Sequence, residues 1–197
     1  MKRVSVIGGS CTGKTTLSRE LARLLGVPHI ELDALHHDAG WQEAPAEVLQ
    51  ARVDAALAAA PDGWVVDGNY HGKIGATALD RADTVVFLDL PHHVALRRVL
   101  WRTARRVATR KELWNGNRES LRLALSRDSI VWWVIRQHGS YEKKWLPRLA
   151  SLEPGTVVRL QSPREVRDWL QSIQATESMS GSSNGSERQN TPPLAET

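Results

Sequence analysis

The stretch Gly8-Gly9-Ser10-Cys11-Thr12-Gly13-Lys14-Thr15 fits the pattern G-x-x-x-x-G-K-[ST] at every fixed position. Small residues let consecutive backbone N–H groups curl around a phosphate, which bulky side chains would block. A helix starting at the end of the loop adds its unpaired N–H groups and the positive end of its dipole. Lys14 can then reach the β- and γ-phosphates, and the Thr15 hydroxyl can ligate Mg²⁺. The flanks supply the context that the eight residues need. Lys2-Arg3-Val4-Ser5-Val6-Ile7 reads as a buried strand. After the loop, Leu17, Leu21, Leu24 and Leu25 recur at helical spacing, and Gly26 with Pro28 stops the helix. Strand, loop and helix in that order predict a phosphate site rather than a bare Gly/Ser turn.

Beyond Pro28, short apolar runs alternate with helical patterns. His29-Ile30-Glu31-Leu32 reads as a second strand ending at Asp33, and residues 34–44 read as a loop holding His36, His37, Asp38 and Trp41. Pro45 opens a helix with Leu49, Val53, Ala56, Leu57 and Ala60 on one face, and Pro61-Asp62-Gly63 ends it. Trp64-Val65-Val66 is a third strand running into Asp67-Gly68-Asn69-Tyr70. Thr84-Val85-Val86-Phe87-Leu88 is a fourth, followed by Asp89. A long helix from Pro91 to about Ala108, a polar stretch over 109–120 and helical patterning over 121–149, broken at Gly139, precede a fifth strand at Thr156–Leu160. Ser162-Pro163-Arg164-Glu165 is a capping box that starts a last helix to about Ala175. From Thr176 to Thr197, Ser, Gly, Asn, Pro and Glu dominate, the composition of a disordered tail. The expected organisation is one α/β domain over 1–175, with a parallel sheet covered by helices on both faces.

At 197 residues, with 41% hydrophobic and 24% charged residues, the chain is long enough for one real core. A net charge of +4 and a pI near 9.6 suit anionic ligands without singling out nucleic acid. Cys11 is the one cysteine, so no internal disulfide forms, which is compatible with a reducing compartment. No run has membrane-spanning length or the pattern of a signal peptide, which makes the cytoplasm the expected location.

Ligands of parallel sheets sit at the carboxyl ends of the strands, where the loop, Asp33, Asp67 and Asp89 all fall. Asp67 follows buried strand residues and fits either an acid holding Mg²⁺ opposite Thr15 or a cap of the next turn. Asp33 fits either a carboxylate that orients an acceptor nucleophile and takes its proton, or a turn cap. Asp89 reads mainly as strand exit. Arg97, Arg98, Arg102, Arg105, Arg106, Arg110 and Lys111 make a basic run without an acid. Arg98 and Arg102 are the residues expected to clamp a transferring phosphoryl group. The rest of the run reads equally as a solvated or lid surface, or as a nucleic-acid stripe. His36-His37 and His92-His93 come as adjacent pairs, so no zinc site is expected. The tryptophans read as packing residues, with Trp41 and Trp64 flanking the acceptor side.

Gly8–Thr15, Val65-Val66-Asp67-Gly68, Leu88-Asp89-Leu90-Pro91 with Arg98 and Arg102, and 160–166 occur in the order seen in adenylate kinase and its relatives. The resemblance to this nucleoside monophosphate kinase superfamily of P-loop proteins covers roughly 1–108 and 154–174. Leu32-Asp33, Trp64–Tyr70 and Leu113-Trp114-Asn115-Gly116-Asn117-Arg118-Glu119-Ser120 look most like bacterial proteins called adenylate-kinase-related or DNA topology modulation proteins. The resemblance implies a three-layer α/β/α P-loop NTPase fold with strand order 2-3-1-4-5 and a helical lid at about 97–150. It implies ATP phosphates on Gly8, Gly9, Ser10, Cys11, Thr12, Gly13, Lys14, Thr15 and Thr16, Mg²⁺ at Thr15 and Asp67, and an adenine-side loop around 161–164. Lys14, Asp33, Arg98 and Arg102 would carry catalysis. Where adenylate kinase continues Asp-Gly-Phe-Pro-Arg, this chain has Asn69-Tyr70-His71, so the arginine that grips an acceptor phosphate is missing and only His71 or Lys73 supplies a nearby cation. The implied function is ATP-dependent phosphoryl transfer to a nucleoside, a nucleotide or a small hydroxylated acceptor. The rival is a regulatory, nucleic-acid-associated ATPase.

Overall fold

The structure, a computed structural model, describes residues 1–75, 77–109, 112, 114–116, 129–136, 140–153 and 155–183. Five parallel strands form its sheet: β1 (Arg3–Gly8), β2 (His29–Glu31), β3 (Trp64–Asp67), β4 (Thr84–Leu88) and β5 (Val157–Leu160), ordered β2-β3-β1-β4-β5. β1 lies in the middle, with Val4 beside Val65 on one flank and Thr84 on the other. Every residue of β1 after Arg3 is buried, as a central strand covered on both faces requires.

Side-chain alternation along the strands sorts the core into two layers. On one face Val4, Val6, Val65, Val86 and Leu88 pack against Leu17 and Leu21 of helix α1 (Lys14–Leu25). The last helix, which bears Val166, Trp169 and Ile173, joins the same layer. On the other face, Ile30, Trp64 and Val66 meet Leu49, Val53 and Leu57 of helix α3 (Ala46–Ala58), the second helix after α1. Farther along that face, Ile7, Val85 and Phe87 meet Trp145 and Leu149. Each fully buried leucine here contributes about 1.5–3 kcal/mol of transfer free energy.

Helix α2 is short (Leu32–His36) and sits between β2 and α3, with a 3₁₀ turn at Ala39–Trp41. After β3 come two further single-turn helices, α4 (His71–Ile74) and α5 (Thr77–Asp80). Helix α6 (His92–Thr109) leaves the sheet after β4, and α7 (Ile130–Arg136) packs on it through Ala95, Val99 and Val134. Helices α8 (Ser140–Leu149) and α9 (Pro163–Ser183) are the last two among the described residues. No helix among the described residues is long and apolar enough to cross a membrane.

The sequence reading differs from the structure at three places. Residues 34–44 were expected as loop, yet α2 starts directly at the end of β2 and carries Asp33 in its first turn. Helix α9 continues past Ala175 to Ser183, so the compositional change at Thr176 does not end it. Ser172, Thr176 and Ser178 turn polar side chains onto the carbonyls of Trp169, Ser172 and Gln174, satisfying those hydroxyls within the helix. Trp64 does not flank the acceptor side: it begins β3 at the opposite end, fully buried against the β2–α3 layer. The remainder of the tail (184–197), the break at Gly139, Arg110, Lys111 and the 117–120 part of the Asn-Gly-Asn-Arg-Glu-Ser motif lie outside the described residues.

Candidate functional site: the carboxyl edge of the sheet

The phosphate loop joins β1 to α1, so the buried strand fixes one end and the helix axis the other. Gly8 has φ +147, and a Cβ there would lie 2.6 Å from the Leu88 carbonyl oxygen on β4. Only glycine lets the loop leave the sheet this close to its neighbour. Gly13, at φ +101, starts α1 with no side-chain cap. Cys11 takes a positive φ of 63, and the strain of about 1–3 kcal/mol is held by its packing with Ala95, Val99 and Val134. The Thr12 hydroxyl donates to the Gly9 carbonyl at 2.8 Å, which braces the turn. Lys14 folds over the loop, with Nζ 3.0 Å from the carbonyl oxygens of both Gly8 and Gly9. Ser10 is half-buried in the loop, and Thr16 is exposed in the first turn of α1.

Two side chains reach this loop from other elements. Arg98 of α6 donates through Nη1 to the Thr12 carbonyl at 2.5 Å. Arg102 lies one turn further on and is half-buried; its Nε is buried without a hydrogen-bond partner among the described residues. Arg97 and Arg105 are exposed, as is Trp101, at 72%. The basic run is thereby split, with Arg98 on the loop and Arg97 and Arg105 in solvent. The second contact comes from Asn69, just after β3. Its Oδ1 accepts from the Gly8 N–H at 3.2 Å and its Nδ2 donates to the Gly8 carbonyl at 2.5 Å.

The carboxylate that meets Thr15 is Glu31, a residue the sequence reading left as plain strand. Thr15 Oγ1 lies 3.5 Å from Glu31 Oε1, and Arg19 holds the other carboxylate oxygen at 3.2 Å. Glu31 is the register partner of Asp67. Asp67 is buried, with Oδ2 3.5 Å from His29 Nε2; neither atom has a hydrogen-bond partner among the described residues. The Asp67 oxygen buried without a hydrogen bond, the Glu31 carboxylate on the neighbouring strand and the Thr15 hydroxyl are hard oxygen donors of the kind taken by a divalent cation that keeps some water and phosphate ligands. Among the described residues, no cluster of three or more His, Cys, Asp or Glu side chains is arranged to hold a metal unaided.

Asp33 stands at the same sheet edge, in the first turn of α2 directly after β2. Tyr70 donates its hydroxyl to Asp33 Oδ1 at 2.7 Å, and that hydroxyl lies 3.4 Å from His37 Nε2. The rings of His36, His37 and Tyr70 stack in a tilted group, and Trp41 meets His37 edge-on. His36 is fully buried, with Nε2 3.4 Å from Lys73 Nζ and 3.5 Å from Glu43 Oε2. Burial, followed by the charges of Lys73 and His37, pushes its imidazole below the usual histidine range. Lys73 donates to Glu43 at 2.5 Å, which holds that carboxyl below its ordinary value. Arg52 pairs with Asp38 at 3.0 Å. Asn115, from the stretch after α6, donates to the His37 carbonyl at 2.5 Å. The end of α2 thus meets the chain that follows α6.

Asp89 and the capping box occupy the β4–β5 end. Asp89 accepts from Arg159 Nε at 2.9 Å, tying β4 to β5, so it acts as a strut. The Glu165 N–H donates to Ser162 Oγ at 3.2 Å, and Glu165 accepts from the Gln161 N–H at 2.9 Å. The loop at 161–164 is thus fixed at the same edge as the phosphate loop.

No protein-family model matches the chain, and no curated protein matches it by sequence. Solved structures do. Shikimate kinase from Bacteroides thetaiotaomicron superposes with a TM-score of 0.51 at 18% identity, covering 89% of this chain and 97% of that one. A gluconokinase from Sinorhizobium meliloti 1021 gives 0.49 at 17% identity, covering 95% and 98%. The likeness to the shikimate kinase, with the strand order β2-β3-β1-β4-β5, establishes a P-loop kinase-type α/β fold.

Proposed function

We propose that this chain is an ATP- and Mg²⁺-dependent phosphotransferase that moves the γ-phosphoryl group of ATP to a hydroxyl of a small acceptor, either a nucleoside or nucleotide or a hydroxylated metabolite. The observation that carries this reading is the opposition of two built half-sites across one sheet edge. One is the phosphate loop with Lys14 and Arg98; the other is Asp33, held by Tyr70. The Gly8–Thr16 backbone would cradle the phosphates. Thr15, Glu31 and Asp67 would hold Mg²⁺, which when bound neutralises phosphate charge. Asp33 would accept the proton of the acceptor hydroxyl as its oxygen bonds to the γ-phosphorus and ADP departs. Lys14, Arg98 and Arg102 would stabilise the charge on the transferring group. The motifs at 64–70 and 113–120 support kinship with adenylate-kinase-related bacterial proteins. The absence of the phosphate-gripping arginine after Asp67-Gly68 speaks against AMP as acceptor.

A second reading has its own support. Trp101 stands exposed on α6 between Arg97 and Arg105, an aromatic–basic arrangement that suits single-stranded nucleic acid. One experiment separates the two: Mg-ATP is incubated with nucleosides, nucleotides, sugars and sugar acids, or with single-stranded DNA, and ADP release is followed beside the Lys14→Ala variant. ADP that depends on an acceptor and vanishes in Lys14→Ala supports the kinase. ADP and free phosphate stimulated by DNA, with no acceptor modified, supports the rival.

A further inference from the structure

We infer that Asn69 and Tyr70 form a positioning link between the two halves of the site, so that the acceptor-side bond of Tyr70 helps set nucleotide affinity. The link rests on the nucleotide-binding part of the reading above and goes beyond it by giving these two residues a joint role. Adjacent along the chain, they grip opposite banks: Asn69 makes a two-way amide pair with Gly8, the first residue of the phosphate loop, and Tyr70 donates to Asp33 on α2. The peptide that carries them is pinned from behind. Gly68, at φ +140, lies so close to Leu32 that a Cβ would come within 2.7 Å of the leucine Cβ, and its N–H reaches the Val6 carbonyl at 3.4 Å. Residues 68–70 are therefore held by β1, by the start of α2 and by the loop itself. The Tyr70–Asp33 bond is the restraint on this short segment from the α2 side, and the Asn69–Gly8 pair is the restraint from the loop side.

The Gly8 carbonyl shows why Asn69 matters to a phosphate ligand. It accepts from both Asn69 Nδ2 and Lys14 Nζ. When Lys14 swings to a phosphate, Asn69 keeps that carbonyl paired and keeps the Gly8 N–H from relaxing. The loop thus retains its shape while its lysine changes partner, and less ordering remains for the ligand to impose. The Tyr70 hydroxyl bonds Asp33 and lies near His37, while the next residue back, Asn69, bonds Gly8, so the shortest path from that hydroxyl to the loop runs along the chain through Asn69.

The test measures the affinity of Mg-AMP-PNP by calorimetry for the native chain, Asn69→Ala, Tyr70→Phe and the double variant, each with its melting temperature. Loss of the amide pair should raise Kd on the order of tenfold. Tyr70→Phe, which removes one hydroxyl, should raise Kd about threefold, and the double variant should match Asn69→Ala alone if the effect of the hydroxyl is carried by the Asn69–Gly8 pair. A merely structural role would lower melting temperatures and leave the Kd effects additive. An unchanged Kd in Tyr70→Phe, or strict additivity, overturns the link while leaving nucleotide binding intact. If Asn69→Ala fails to fold, Tyr70→Phe decides alone: a rise supports the link and no change overturns it. A native chain that does not bind Mg-AMP-PNP overturns the nucleotide reading, and the link with it.

Discussion

Replacing Gly8 with alanine tests how tightly the sheet dictates the phosphate loop. The new methyl would meet the Leu88 carbonyl oxygen at 2.6 Å and the Leu88 Cβ at 2.9 Å. Gly8 is the register partner of Leu88 in the middle of the sheet, so neither backbone can step aside without breaking the β1–β4 ladder. At φ +147 an L-residue also carries strain of about 1–3 kcal/mol, and overpacking adds about 1–3 kcal/mol. The sum, about 2–6 kcal/mol, is a large share of the 5–15 kcal/mol typical of a whole domain. For a chain of this size it lowers the melting temperature by roughly 4–24 °C. Gly26→Ala is the internal control: it has φ +66 and nothing within 4 Å of the new methyl, so only the left-handed penalty of about 1–2 kcal/mol applies. Urea unfolding of both variants isolates the steric part by difference. Gly8→Ala equal to Gly26→Ala, or within about 0.5 kcal/mol of the native chain, would refute the claim that strand packing shapes the loop.

Arg102→Ala should slow acceptor-dependent turnover on the order of a thousandfold while changing ATP affinity little, whereas exposed Arg105→Ala should leave both alone; equal effects in steady-state kinetics would remove the phosphoryl clamp from α6. Because the folded chain holds the His36 imidazole below its usual pKa, the unfolded chain takes up that proton first, so stability is full above about pH 6.5 and falls below it. Thermal melts of His36→Gln should show a shallower decline from pH 6.5 to 5.5 than the native chain, and parallel curves would contradict this. Burial would raise the Asp83 carboxyl, but the N–H groups of Lys2 and Arg3 and the Thr84 hydroxyl outweigh it and lower its pKa. Its contribution is therefore present above about pH 4 and lost as the pH falls further. Asp83→Asn should cost about 1–3 kcal/mol at pH 7 in urea unfolding, with the difference closing in acid.

The fold was legible because its signals are local: the glycine spacing of 8–15, the helical leucines after it, and apolar runs of strand length at 64–66 and 84–88. The capping box at 162–165 was legible for the same reason, since its partners lie within four residues. What escaped depends on distant pieces of backbone. Asn69 was visible as part of a motif, but its partner is Gly8, reached only once β3 lies beside β1. Glu31 looked like an ordinary strand residue, and only the start of α1 above it turns its carboxylate into the neighbour of Thr15. Trp64 misled because its nearness in sequence to Asp67 hides the length of a strand: the two stand at opposite ends of β3.

The place of β1 in the sheet sets a timetable for synthesis. Of these five strands the first to leave the ribosome is the central one, yet its partners are Trp64–Asp67 and Thr84–Leu88. At about 5–20 residues per second, β1 waits roughly 4–16 s before both flanks have even been made. During that time Val4, Val6 and Ile7 have no sheet to enter, and α1 has only a single strand to lean on. Parallel pairing between such distant segments is slow to close. A ribosome-stalled chain ending between β2 and β3 should accordingly be captured by chaperones and cut readily by protease, whereas one long enough to expose β4 should begin to resist.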